Sequence, residues 1–118
     1  MQQQRAAFAL REVKKALDDP QTKKKEFNSY ASSLPAMILM NGLGQAAAFY
    51  FSKGGTHHRL YDILSGWLIS SGQPYEGETS LLDGITSKDM YCYRVAQAEA
   101  LLFLDWVKKF AKAYTREA

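Results

Sequence analysis

The chain holds one cysteine, three prolines and two histidines among 118 residues, and each scarcity closes off a class of protein. A lone Cys92 cannot form an internal disulfide, so no cross-linked secreted scaffold is expected. So few prolines, with only eight glycines, give too little turn chemistry for a β-sandwich, and no segment sustains strand-like alternation. The adjacent His57 and His58 would point about 100° apart on a helix, so a metal site would need ligands from elsewhere. No long apolar run exists either. The stretch from Pro35 to Phe51 falls short of the about 20 residues of a membrane span and carries Asn41 and Gln45 at its middle. The opening MQQQRAAFALRE has no apolar signal core, which with the single thiol predicts a cytoplasmic protein without a membrane role.

What is present is apolar residues at helical spacing. Hydrophobic residues at 47% and charged residues at 23% are ordinary globular proportions, and the length suits a single domain spanning 1–118. The pattern predicts an all-α, compact bundle of about five to six helices ending in a long C-terminal helix. From Gln2 to Leu17, residues Ala6, Ala9, Leu10, Val13 and Leu17 share one face. Pro20 ends that helix and suits the start of a second, reaching about Ser32. Pro35 marks a third start, capped by Ser32 or Ser33, and this helix runs to about Ser52. Being apolar almost throughout, it is expected to be buried on nearly every side, with Gly42 and Gly44 against a neighbouring helix and Asn41 and Gln45 paired in the core.

Lys53, Gly54 and Gly55 end that helix, and Thr56 is placed to cap the next, whose apolar positions are Leu60, Ile63, Leu64, Trp67 and Leu68, ending at Ser70 or Ser71. Gln73 to Ser80 reads as a surface loop and Leu81 to Ile85 as a short helix. Thr86 or Ser87 opens the last helix, with Asp89 in its first turn, and it reaches about Tyr114. Its expected inward stripe is Val95, Ala98, Leu102, Trp106, Phe110 and Ala113, although Leu101 to Leu104 make the middle apolar nearly all round.

Charge is uneven along the chain. Residues 1–59 carry nine Lys or Arg against four acids, while residues 60–118 carry six against eight. The surplus includes Lys23, Lys24 and Lys25 near a helix N-terminus, where the dipole disfavours cations unless something anionic compensates. A solvated lysine face is the plainer reading of that run; an anionic partner is the other. Lys108 and Lys112 share a face at the other end, where cations also suit the dipole of their own helix.

Catalytic chemistry finds little support. Cys92 lies between Tyr91 and Tyr93 without a placed base or cation, so it reads as a small buried thiol, and His57 and His58 read as a surface pair at a loop end. Asp62, Asp83, Asp89, Glu99 and Asp105 form no paired-carboxylate motif. Gly42-Leu43-Gly44 has no preceding strand to present a phosphate-binding turn. No cofactor, metal or small-molecule substrate is expected, and a metal-dependent nuclease using His57 or His58 is the remote enzymatic option.

Two blocks carry a resemblance: YASSLPAMILMNGLGQAAAFYFSK, from Tyr30 to Lys53, and YRVAQAEALLFLDWVKKFAKA, from Tyr93 to Ala113. With LYDILSGWLISSG between them, they resemble the small fifth subunit of the Cmr complex, the type III-B CRISPR RNA-silencing effector. The combination is specific; either block alone is not. The resemblance implies a helical bundle without enzyme activity, standing beside the backbone subunits with copies of itself and lining the channel that holds guide RNA and target RNA. Matched basic positions that the resemblance makes RNA-contact candidates are Lys53, Arg94, Lys108 and Lys109. Lys23, Lys24 and Lys25 are added on charge alone. The alternative is a helical protein–protein adaptor with no direct RNA contact.

Overall fold

The computed structural model describes residues 2–115. Among them are six helices and no strand: α1 (Gln2–Asp18), α2 (Lys24–Asn41), α3 (Leu43–Lys53), α4 (Gly55–Leu68), α5 (Leu81–Ser87) and α6 (Met90–Thr115). The all-α expectation holds, and so does the long last helix. At 26 residues α6 is about 39 Å long, close to the molecule's 45 Å long axis, so its two ends mark the two ends of the bundle.

Helix α1 lies alongside α6 in the same direction: Arg5 meets Glu99, Phe8 meets Phe103 at 5.8 Å, and Lys14 stands 5.3 Å from the Tyr114 ring. Small residues are buried on both helices, Ala9 and Ala16 of α1 and Ala96, Ala100 and Ala111 of α6 all being fully buried. Helix α2 returns antiparallel, so its first turn lies toward the C-terminal end of α6 and its last turn beside Tyr93 near the other end.

The expected break at Pro35 does not occur. Helix α2 passes straight through it, burying Phe27, Ala31, Leu34 and Ile38 at steps of four, three and four. A proline inside a helix costs about 3 kcal/mol, while burying a Phe, Leu or Ile side chain gives about 1.5–3 kcal/mol each, so a stripe continuous across the proline wins. The break falls instead at Gly42, whose φ of 88° and ψ of 159° are a glycine conformation. Two side chains of α6 then cap α3: Gln97 Oε1 accepts from the Leu43 N–H at 2.9 Å, and Tyr93 Oη accepts from the Gly44 N–H at 2.8 Å.

That break overturns three expectations. Asn41 and Gln45 fall on either side of it and are both exposed, so they form no polar pair in the core. The apolar segment is not buried all round: Leu39 is 71% and Met40 82% exposed, and Phe49 and Phe51 are half exposed. Gly42 is not a helical glycine, although a neighbouring helix does approach it, Tyr93 Oη lying 3.1 Å from where a Cβ would stand.

Other corrections follow from packing. Thr56 does not cap α4, which starts at Gly55 after Gly54; its hydroxyl donates to Glu26 Oε1 at 3.2 Å. The segment Gln73–Ser80 is anchored by a fully buried Tyr75, which packs on Gly84 of α5. Helix α6 is opened by Asp89, whose Oδ1 accepts from the Cys92 N–H at 2.9 Å, rather than by Thr86 or Ser87. Its buried stripe is Ala96, Ala100, Phe103, Leu104, Val107 and Ala111, leaving Val95 and Leu102 outside. Where a helix is apolar on most sides, periodicity alone does not choose the inward face.

Candidate nucleic-acid interface

Topology sorts the seven basic candidates into two groups. Lys14 beside Tyr114 sets the end of α1 at the C-terminal end of α6, and α2 begins shortly after α1 stops, so Lys23, Lys24 and Lys25 share that end with Lys108 and Lys109. The α3–α4 junction is tied there too, through Thr56 to Glu26 and through Arg59 Nη1 to Asp19 Oδ2 at 2.9 Å, which brings in Lys53. Arg94 stands apart: fourteen residues before Lys108 on α6, it is about 21 Å along the helix.

All seven side chains belong to exposed residues. Lys23 is the extended residue before α2, and Lys24 and Lys25 occupy its first turn with Glu26, the one acid that complements the dipole there. Lys109 Nζ pairs with Asp105 at 3.0 Å; the other six form no ion pair among the described residues. Lys53 Nζ lies 5.6 Å from the Phe49 ring centroid. Beside this group an open cleft of about 450 Å³ is lined by Lys23, Arg59, Gly54, Gly55, His58 and three carboxylates, Asp19, Glu26 and Asp62. The Asp19 carboxyl is held low by the Gln21 backbone N–H and then by Arg59.

The opposite end carries an acidic excess. Glu76, Glu78, Asp83 and Asp89 lie in the α4–α5 connection, α5 and the α6 cap, against Lys88, which pairs with Glu78 at 3.5 Å, and Arg94 in the second turn of α6. The bundle is therefore electrically polarised along its long axis, which the count by halves of the sequence only hinted at.

The histidines are not a loose surface pair. Both lie in the first turns of α4. His57 stacks on Tyr30 at 3.8 Å and stands edge-on to Tyr50 at 4.8 Å, and burial, helped by the Lys53 charge and opposed by Glu26, holds its pKa below the ordinary value. His58 Nδ1 is 3.0 Å from the Phe51 carbonyl and its Nε2 3.4 Å from Asp62. Among the described residues no three His, Cys, Asp or Glu side chains converge as a metal site. Cys92 is partly buried, its thiol donating to the Pro74 carbonyl at 3.1 Å.

One polar cluster was not legible in the sequence. Arg5 Nε and Nη2 grip both oxygens of Glu99, at 2.7 and 2.8 Å, and Trp67 Nε1 donates to Glu99 Oε2 at 2.8 Å, knitting α1, α4 and α6 together. The two charged side chains are only 12% and 14% exposed. Burial alone would raise the Glu99 carboxyl, but the hydrogen bonds from Arg5 and Trp67 and the Arg5 charge together hold it below its ordinary value. The usable signal was a single acid between Ala98 and Ala100 in the apolar middle of α6. Both Glu99 oxygens are engaged by Arg5 and Trp67, so the cluster ties three helices together, and its outer side borders an open cleft of about 600 Å³ between α1, α6 and the segment Ser71–Pro74.

Among the described residues no helix is long and apolar enough to cross a membrane. The profile of the CRISPR-associated protein (Cas_Cmr5) family matches residues 1–114. With nearly the whole chain matched, the protein belongs to the Cas_Cmr5 family, the small subunits of type III-B CRISPR complexes.

Proposed function

We propose that this chain is a non-catalytic, RNA-facing subunit of the Cmr ribonucleoprotein. In this reading it stands beside the backbone subunits and further copies of itself in the cytoplasm, walls the channel that holds guide and target RNA, and contributes to antiviral defence. Family membership makes it a Cmr complex subunit. The observation that carries the RNA contact is the gathering of Lys23, Lys24, Lys25, Lys53 and Lys108 at one end, unpaired among the described residues. Exposed ammonium groups of this kind touch phosphates and position a strand without reading its sequence, which suits a guided system where base pairing supplies specificity. Arg94 belongs to the other end and is the weaker candidate.

The adaptor reading keeps one supporting observation, the exposed Leu39 and Met40 at the end of α2, where apolar side chains in water suit a protein partner. Charge reversal separates the two. Lys108→Glu with Lys109→Glu should weaken target-RNA capture by the assembled complex and flatten its salt dependence, with assembly intact, while Arg94→Glu has a smaller effect. Capture unchanged in the double lysine variant would favour the adaptor.

A further inference from the structure

The aromatic residues at the basic end have no task in phosphate contact. Phe49 is 42% exposed, and it is the outermost ring of a cluster whose other members are held in place. His57 meets Phe49 edge-on at 6.0 Å and stacks on Tyr30, while Tyr50, 1% exposed, donates its hydroxyl to the Tyr30 carbonyl at 2.8 Å. Phe49 is thus braced by His57 yet partly exposed, with the mobile end of the Lys53 side chain over its ring at 5.6 Å. Glu26 also faces His57, its carboxylate accepting from the Thr56 hydroxyl and keeping its charge there.

We infer that Phe49 is a stacking platform for an unpaired base of single-stranded RNA, with Lys53 beside it for the adjoining phosphate. A braced, half-exposed ring with an ammonium group that forms no ion pair beside it is the kind of element by which single strands are held, since every base offers a π-face and every nucleotide a charge. The cations favour this occupant over an apolar protein surface, which would have to desolvate Lys53 without neutralising it. Phe51 is as exposed, at 47%, but projects from the far side of α3, against His58 and Tyr61, where the cleft carries three carboxylates. The inference rests on the RNA-facing reading and narrows it: the basic end prefers single strands to duplex.

The test uses the full chain, a fluorescein-labelled oligouridine and a blunt RNA duplex of equal length, with binding followed by anisotropy at low salt. Phe49→Ala should weaken oligouridine binding roughly tenfold, as expected for losing one base–aromatic stack. Duplex binding should not change. Phe49→Leu, which keeps apolar bulk without a π-face, should behave as Phe49→Ala, and Phe49→Trp should restore binding. Lys53→Ala should weaken both ligands and reduce the salt slope. Full oligouridine binding by Phe49→Leu, or an equal loss on both ligands in Phe49→Ala, would overturn the stacking site alone. If the unaltered chain binds neither ligand at low salt, both the RNA-facing reading and this inference fall.

Discussion

Glu99→Ala should be the most damaging single change at any polar residue of the bundle. It removes the carboxylate but leaves the Arg5 guanidinium, 12% exposed, and the Trp67 indole N–H facing its empty place. Breaking a buried pair on one side costs about 3–5 kcal/mol, and the slight exposure of both partners sets the expectation at the low end, about 3 kcal/mol. At about 4 °C per kcal/mol for a domain of this size, the melting temperature should fall by about 12 °C. Glu99→Gln keeps an acceptor for Trp67 and should lose roughly half as much. Replacing both partners, Arg5→Met with Glu99→Leu, leaves no orphaned charge and should melt within a few degrees of the unaltered protein, by the same reasoning about desolvation.

The linkage sign provides an independent check. The folded carboxyl of Glu99 lies below its ordinary value of 4.5, so the folded state binds fewer protons there. Its contribution is present above the unfolded value and is lost as pH falls through the folded one. Melting followed by circular dichroism from neutral pH into acid should therefore show a decline below about pH 4.5 that is shallower in Glu99→Gln. A drop of less than about 4 °C for Glu99→Ala, or a double variant as unstable as the single one, would refute the argument.

Three further outcomes follow from the packing. Gly84→Ala places a Cβ 2.6 Å from Tyr75 Cγ, inside any allowed contact, and should destabilise by about 1–3 kcal/mol in urea unfolding; an unchanged midpoint would mean Tyr75 is not held there. Pro35→Ala restores an N–H that can bond the Ala31 carbonyl and should stabilise by about 2 kcal/mol, after allowing for the looser unfolded chain; a loss of stability would show that α2 needs the proline's bend. His57 has a folded pKa below its ordinary 6.5, so the unfolded state binds the extra proton and stability should decline as pH falls below about 6.5. In His57→Phe that part of the decline should vanish, and a pH profile identical to that of the unaltered protein would contradict it.

Much of the architecture was readable because amphipathic segments with clear stops have one solution. Helix α1, the α3–α4 junction at Gly54 and the inward residues of α4 all fall where spacing put them. The errors share a cause, which is competition between a local signal and packing. Pro35 is a strong local breaker, yet Phe27, Leu34 and Ile38 form one stripe across it, and the stripe decided. In the sequence Gly42 reads as a weak flaw inside a helix, but its partners Tyr93 and Gln97 come from far along the chain, and they cap a new helix. The basic candidates were recognisable one by one. The gathering of the six lysines at one end, apart from Arg94, was not, because it depends on α1 and α6 running in the same direction.

Ultraviolet cross-linking of the assembled complex on target RNA, followed by identification of the linked peptides, tests the central claim most directly. The account predicts links in the peptides that carry Lys23 to Lys25, Phe49 to Lys53 and Lys108 to Lys109, all from the basic end of the bundle. A complex that assembles and holds RNA, yet links through this subunit only at the acidic end around Glu76 to Asp89, or not at all, would contradict it.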